Sequence, residues 1–345
     1  MKVNMISETM FGIKANGVHS AFRDIYEFLQ KKDNIEIVVN SNEKADIIHS
    51  HTIGPYFLLK IWRKNNIIVS AHIIPESIEG SLILSKYWRG FLKLYLKFVY
   101  NKADIVLAVS PDVKEYLDNI GLKSKVIYLP NSIDCNKFKK NAKKRNIFRK
   151  KYNISEKDFV VCCIGQIQPR KGVEDFCKVA CKLKDIKFIW GGTRPFSILT
   201  ADYLKTNKIM KNAPENVIFT GFVEDINEVY SASDLFFFPS YQENFGLAVL
   251  EAASSKLPLV LRDLQVYKSI FGDSYLKGNS IEEFVENIKL LKNDSNLYKQ
   301  YSEKSILLSE KYHIEKIANQ LISIYLGVRH TDCGLRIADC GLPYS

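Results

Sequence analysis

The chain carries no run of about 18 uncharged apolar residues, so no segment reads as a bilayer-spanning helix. No Asp-x-Asp pair occurs anywhere in its 345 residues. That removes the clustered carboxylates with which many transferases hold Mg²⁺ or Mn²⁺. No strand–G-x-G-x-x-G–helix unit is present, which argues against a dinucleotide-dependent oxidoreductase. No recognised nucleic-acid motif is visible either. The seven cysteines (Cys135, Cys162, Cys163, Cys177, Cys181, Cys333 and Cys340) show no C-x-x-C spacing. Their odd number fits reduced thiols in a cytoplasmic protein better than a disulfide framework. The first apolar stretch, Val3 to Ile6, is too short for a secretory signal and soon meets Glu8.

What is present is ordinary in bulk and lopsided in charge. Hydrophobic residues make up 46% and charged residues 25%, the balance of a soluble globular protein. The length suits two domains rather than one core. A net charge of +11 points to an anionic partner: nucleic acid, an acidic membrane surface or a phosphorylated small molecule.

Continuous apolar runs alternate with helical stretches such as Val18–Lys32. Lys2–Ser7, Ile35–Asn40, Ile47–Ser50, Ile67–Ser70, Ile105–Val109 and Val126–Leu129 read as strands. Runs that do not alternate suit parallel strands covered on both faces, hence a doubly wound α/β unit. From Pro130 to about Asp158 the chain turns polar and basic and reads as an exposed, solvated connection. A second series follows in Phe159–Ile164, Phe188–Trp190, Val217–Phe219, Leu235–Phe238 and Leu257–Leu261, and Ile281 to about Leu326 reads as helical. The expected domains are 1–150 and 151–326, with strand carboxyl ends lining a ligand cleft. Residues 327–345, in which Asp332–Leu335 recurs as Asp339–Leu342, read as a disordered tail.

The segment Tyr241–Glu251 carries two glutamates eight residues apart around a Phe-Gly turn. A turn there would bring Glu243 and free backbone N–H groups to a helix N-terminus, where anionic groups bind well. Glu251 would lie two turns along the helix. Two acceptors so spaced suit a long polyhydroxylated ligand, and they equally suit a capping glutamate followed by a surface one.

Glu-x7-Glu with an internal Phe-Gly resembles the signature of retaining glycosyltransferases of family 4, which have the GT-B fold. Gly165-Gln166-Ile167-Gln168-Pro169-Arg170-Lys171-Gly172 resembles that family's donor loop. Phe219-Thr220-Gly221 is similar to the stretch before its nucleotide-base loop, Ser70-Ala71-His72 to its first-domain histidine, and Ala15-Asn16-Gly17-Val18 to its phosphate turn. The resemblance implies two Rossmann-like domains facing a cleft, with the C-terminal helix crossing back to the first. It implies that Lys171 neutralises the donor diphosphate, Glu243 binds the hydroxyls of the transferred sugar, and Glu251 grips the ribose. Phe245, Gly246 and Leu247 would offer backbone N–H groups, His72 would face the sugar, and Gly17 would let backbone approach the phosphates. Gln166 stands where many members have a phosphate-binding arginine and Asn16 replaces the first glycine of the turn; Arg170 would supply the missing charge. With no Asp-x-Asp, neither metal nor cofactor is expected. The departing UDP would be stabilised by Lys171, Arg170 and helix-terminal N–H groups. A retaining outcome ordinarily suggests a carboxylate nucleophile; the resemblance implies front-face departure and attack instead.

Ser81 to Lys102 contains no acidic residue. On a helix Lys86, Arg89, Lys93 and Lys97 fall within about 80° of one another, beside a broad apolar, aromatic surface. The complete absence of acidic residues favours an acidic membrane interface, with Trp88 and Phe91 entering the acyl boundary, over the alternative of a buried helix with one wet basic face. The stretches His51-Thr52-Ile53-Gly54-Pro55, Arg194-Pro195-Phe196, Pro258–Leu264 and Tyr275–Asn279 resemble bacterial diacylglycerol glycosyltransferases. The expectation is therefore a peripheral enzyme on the inner face of the cell membrane. It would move glucose or galactose from a UDP-sugar to diacylglycerol or monoglycosyl-diacylglycerol, with no nucleic-acid partner. The alternatives are a GT-B transferase with a soluble or polysaccharide acceptor, and a non-enzymatic membrane-surface or nucleic-acid binding protein.

Overall fold

The structure, a computed structural model, describes residues 1–11, 17–61, 66–75, 85–193 and 203–331. It divides into two compact units. One gathers Met1–Ile74, Arg89–Ser132 and the chain from His313 onward; the other is built on Ile133–Tyr312.

The first unit holds β1 (Lys2–Ile6), β2 (Glu36–Val39), β3 (Ile47–Ser50), β4 (Asn66–Ala71), β5 (Ile105–Ala108) and β6 (Lys125–Tyr128). They pair in the order β2-β1-β3-β4-β5-β6, every pairing parallel. Both faces are covered, as the continuous apolar runs require. On one face Val3, Met5, Ile47, Ile68 and Leu107 meet Phe22, Ile25 and Leu29 of the helix Gly17–Leu29. On the other, Ile6, Ile48, Val69 and Val106 meet Leu96, Val99 and Tyr100 of the helix Ser85–Tyr100.

The helix Ile314–Thr331 also belongs to this first unit. Its Ile314, Ile317, Ala318, Leu321, Ile324, Tyr325 and Val328 recur at helical spacing and are all buried in the first of those two cores. The expected return of the C-terminal helix is thus present, and part of the 327–345 segment, through Thr331, is helix rather than tail; residues 332–345 lie outside the described residues.

The second unit holds β7 (Val160–Ile164), β8 (Lys187–Gly191), β9 (Val217–Gly221), β10 (Leu235–Phe238), β11 (Leu259–Arg262) and β12 (Leu276–Gly278). Their order is β12-β11-β10-β7-β8-β9, again wholly parallel. The short edge strand β12 is not foreseen from the sequence. The helical region after Ile281 is cut at Asp294, whose backbone is extended and whose carboxylate accepts from the N–H groups of Asn296 (2.9 Å) and Leu297 (3.0 Å). One helix ends there and another is capped.

The basic stretch expected to be an exposed connection keeps Lys137, Lys139, Lys143, Lys150 and Lys151 exposed, but from Ile133 on it belongs to the second unit rather than linking the two. Its residues Ala142–Lys151 form a helix, capped by Asn141 accepting from Lys144 N–H at 3.0 Å. Phe148 and Arg149 on that helix are buried in the second unit. Arg149 donates from Nε to the Ala232 carbonyl (2.9 Å), from Nη1 to the Ser155 carbonyl (2.6 Å) and from Nη2 to Asp234 (2.9 Å). A charged side chain is stable there because its donors are satisfied. The unit boundary accordingly falls at Ser132/Ile133, before residue 150. Ile133 N–H donates to the Tyr312 carbonyl at 2.9 Å, tying the start and the end of this unit together.

Candidate active site

Two loops leave the carboxyl ends of the neighbouring strands β7 and β10, which pair through Leu235–Val161 and Phe236–Cys162. The first runs from Gly165 through Lys171 to the helix Val173–Lys182; the second runs from Pro239 to the helix Leu247–Ser254. Ligands of open parallel sheets bind at such ends. Tyr241 N–H donates to the Arg170 carbonyl at 2.7 Å, which joins the loops. Gly172 is left-handed (φ 77°), and a side-chain carbon on it would collide with the Pro239 carbonyl. That close approach is open to glycine alone.

Their charged groups meet. The Lys171 ammonium pairs with Glu243 Oε1, and the Ser240 hydroxyl donates to the same oxygen at 2.7 Å. Lys171 also lies 5.1 Å from the centre of the Phe238 ring. Arg170 donates from Nε to Gln168 (3.0 Å) and from Nη1 to the Gln242 carbonyl (3.2 Å). Burial alone would raise the Glu243 carboxyl. Lys171 and Arg170 outweigh it, helped by the hydrogen bonds from Lys171 and Ser240, and hold it below the usual carboxylate range. Burial, with Arg170 alongside, pulls Lys171 below its ordinary range despite Glu243. An ammonium in that position gains from a second anion.

Gly246 is left-handed (φ 97°) and caps the helix Leu247–Ser254, so N–H groups at that terminus have no carbonyl one turn earlier. Glu251 is buried about one turn into that helix, which begins only at Leu247, and the Tyr230 hydroxyl donates to its Oε2 at 2.7 Å. The surface-glutamate alternative is therefore excluded for Glu251. The Phe245 ring is a core element, edge-on to Tyr312 at 5.7 Å and to Phe271 at 6.3 Å. Gln166 is half-buried on the first loop.

The first unit carries a separate set. Gly17 opens its helix, while residues 12–16 before it lie outside the described residues. His72 follows β4 and is half-buried. Its Nε2 lies 3.3 Å from His51 Nδ1. His49 on β3 bonds Tyr325 Oη through Nδ1 (2.6 Å) and Ser70 Oγ through Nε2 (2.9 Å). Burial pushes His49 down to about 3 and His72 down to about 4. Burial, followed by the His49 and His72 neighbours, pushes His51 well down as well.

The helix Ser85–Tyr100 settles one alternative in part. Leu96, Val99 and Tyr100 are buried, yet Phe91, Leu94 and Phe98 are 66%, 70% and 52% exposed, beside exposed Lys93 and Lys97. The helix is thus both a core element and an apolar, basic surface. The side chains of Lys86, Trp88 and Arg89 lie outside the described residues.

Sequence reasoning singled out Lys171, Glu243, Glu251 and His72 but not the groups that touch them. Ser240, Tyr230, His49 and His51 gave no motif. Only the His49-Ser50-His51 alternation beside Ser70-Ala71-His72 could have suggested the histidine set. Among the described residues, no group of three or more His, Cys, Asp or Glu side chains could hold a metal ion, and no helix is long and apolar enough to cross a membrane.

A family model described as Glycosyl transferases group 1 matches residues 144–307, and one described as Glycosyltransferase Family 4 matches residues 20–137. The chain is 33% identical over 334 residues to the alpha-galactosylglucosyldiacylglycerol synthase of Streptococcus pneumoniae, covering 94% of this chain and 89% of that one. It is 29% identical over 331 residues to the processive diacylglycerol alpha-glucosyltransferase of Acholeplasma laidlawii, covering 94% and 98%. Among solved structures it resembles Anabaena Alr3699/HepE in complex with UDP and glucose, with a TM-score of 0.76, 18% identity, and 94% and 99% of the two chains covered. It also resembles the sucrose-phosphate synthase of Thermosynechococcus elongatus, with a TM-score of 0.79, 15% identity, and 97% and 100% covered.

Proposed function

The chain belongs to the group 1 and family 4 glycosyltransferases, with the GT-B fold, and from that membership we propose that it moves a hexose, glucose or galactose, from a UDP-sugar to a membrane glycolipid acceptor, diacylglycerol or monoglycosyl-diacylglycerol, with retention. The observation that carries the donor half is the buried Lys171–Glu243 pair beside the Gly246 helix terminus, with Glu251 further along. The donor diphosphate takes Lys171 away from Glu243 and lies among the N–H groups of Phe245, Gly246 and Leu247. Glu243, freed, accepts from the hydroxyls of the transferred sugar; Glu251, with Tyr230, accepts from the ribose. Gly17 allows the phosphates a close backbone approach, and Gln166 and Arg170 line the same loop. His72 contacts the transferred sugar.

As the bond from the sugar's anomeric carbon to the phosphate oxygen breaks, negative charge grows on UDP and Lys171 meets it in a site shielded from water. The acceptor hydroxyl attacks the same face and its proton goes to the leaving phosphate oxygen. No metal enters this scheme.

The lipid half rests on the exposed Phe91, Leu94 and Phe98 beside Lys93 and Lys97. Lysines attract acidic headgroups, and rings enter the acyl boundary. We assign Lys86, Trp88 and Arg89 to the same membrane contact, and the enzyme works peripherally on the inner face of the cell membrane. The similarity to two diacylglycerol-related transferases supports it.

A donor screen with UDP-glucose, UDP-galactose and GDP-mannose, against diacylglycerol and monoglucosyl-diacylglycerol vesicles, tests both halves. Turnover on water-soluble glycosides that is indifferent to vesicles would reject the lipid acceptor. Glu251→Ala should chiefly raise the donor KM. Lys171→Ala should also lower kcat, roughly 10²–10³-fold, as for loss of one transition-state charge contact. Small, equal effects of the two would reject the donor assignments.

A further inference from the structure

We propose that His51 is a positioning residue for His72: its buried imidazole donates from Nδ1 to Nε2 of His72 and so holds that ring as the tautomer protonated on Nδ1. This rests on the reading of His72 as a contact to the transferred sugar.

The geometry carries it. His51 is 6% exposed and His72 half-buried. Their facing nitrogens are 3.3 Å apart and their rings are near parallel, 5.5 Å between centres at 22°. His51 is itself held. The His49 ring lies 4.4 Å away on one side, and Phe22 meets it edge-on at 5.4 Å. Tyr325 and Ser70 occupy both nitrogens of His49. Strands β3 and β4 pair with His49 opposite Ile68 and Ser50 opposite Val69; His51 and His72 each follow the last residue of their strand, and the His51 N–H donates to the Ile6 carbonyl at 2.9 Å.

Two tautomer pairs satisfy that bond. If His72 Nε2–H donated, the proton of His51 would sit on Nε2, an atom that is buried and has no hydrogen-bond partner. If His51 Nδ1–H donates, the same atom is a bare lone pair. An orphaned N–H inside a protein is the rarer and costlier arrangement. His72 therefore keeps its proton on Nδ1 and presents a fixed, neutral ring. The titratable groups around His51 are His49, His72 and, through His49, Tyr325. Burial keeps the three imidazoles uncharged together.

The test is two-bond ¹H–¹⁵N correlation on full-length protein carrying ¹⁵N-histidine, the His72 signals being assigned by their loss in His72→Ala. Wild type should show His72 protonated on Nδ1. His51→Leu should move the proton to Nε2 or mix the two forms, and lower kcat by about tenfold or more with donor KM little changed. His51→Asn places an amide N–H near the Nδ1 position and should restore both; His51→Gln, with its amide near Nε2, should not. A wild-type His72 protonated on Nε2, an unchanged tautomer in His51→Leu, or equal behaviour of Asn and Gln would overturn the proposal. Full turnover by His72→Ala would instead overturn the sugar-contact reading, and the tautomer measurement would separate the two failures.

Discussion

Acid should unfold the first unit through its histidines. His49 binds its proton with a pKa of about 3 in the fold and His72 with one of about 4, whereas an unfolded histidine titrates near 6.5. Between those values the unfolded chain holds more protons, so stability is complete above about pH 6.5 and falls as the pH falls. At about pH 5 each of these two imidazoles costs about 2 kcal/mol, from the 1.5-unit gap below 6.5 at about 1.36 kcal/mol per unit. The figure hardly depends on the folded-state values, because both lie below that pH. Together they remove about 4 kcal/mol, a large share of a typical domain's 5–15 kcal/mol, and His51 adds to the loss. Urea unfolding at about pH 7.5 and about pH 5, read by pulse-labelling hydrogen exchange on peptides spanning β3 and β4, measures it in this unit. His49→Gln should be less stable at the higher pH, yet lose about 2 kcal/mol less on acidification. A variant that lost as much as wild type, or a wild type indifferent to that pH change, would refute the reasoning.

Two further outcomes follow from the loops and the exposed helix. Gly172→Ala places a side chain against the Pro239 carbonyl in a left-handed backbone, so UDP affinity by calorimetry should fall together with a stability loss of about 1–3 kcal/mol; wild-type affinity would show that the loop junction does not position the donor groups. Lys93→Gln with Lys97→Gln should remove about 2 kcal/mol of binding to anionic vesicles, roughly thirtyfold by cosedimentation. Unchanged binding and lipid turnover would sink the membrane role of that face.

Much of this was legible in the sequence because parallel, doubly covered strands must be apolar throughout. Every strand expected from those runs appears within a residue or two at its ends. The turn that carries Glu243 and the helix start before Glu251 were legible through the glycines, because a left-handed turn and a helix terminus leave a local trace; the roles proposed for Lys171, Glu243 and Glu251 came from the family resemblance, since spacing alone left the two glutamates open. Three things were not. Arg149 reads as one more solvated cation, and only its partners Ala232, Ser155 and Asp234, distant or non-periodic in sequence, make its burial stable. β12 is three residues with a lysine at its centre, too short to show a pattern before β11 gives it a neighbour. The histidine set depends on the pairing of β3 with β4 and on Tyr325 arriving from far along the chain.

That arrival has a consequence for how the protein is made. The helix Ile314–Thr331 fills one core of the first unit, although it is synthesised after the whole of the second. The second unit, built on Ile133–Tyr312, has all its strands in hand once Tyr312 leaves the ribosome. The first cannot bury Val3, Met5 and Phe22 beneath Leu321 and Tyr325 until the chain has been made through Tyr325, after Tyr312. The usual N-terminal-first order is reversed between these two units: the unit whose strands come first in the chain completes its core after the other, and it must keep that face from aggregating while the other folds.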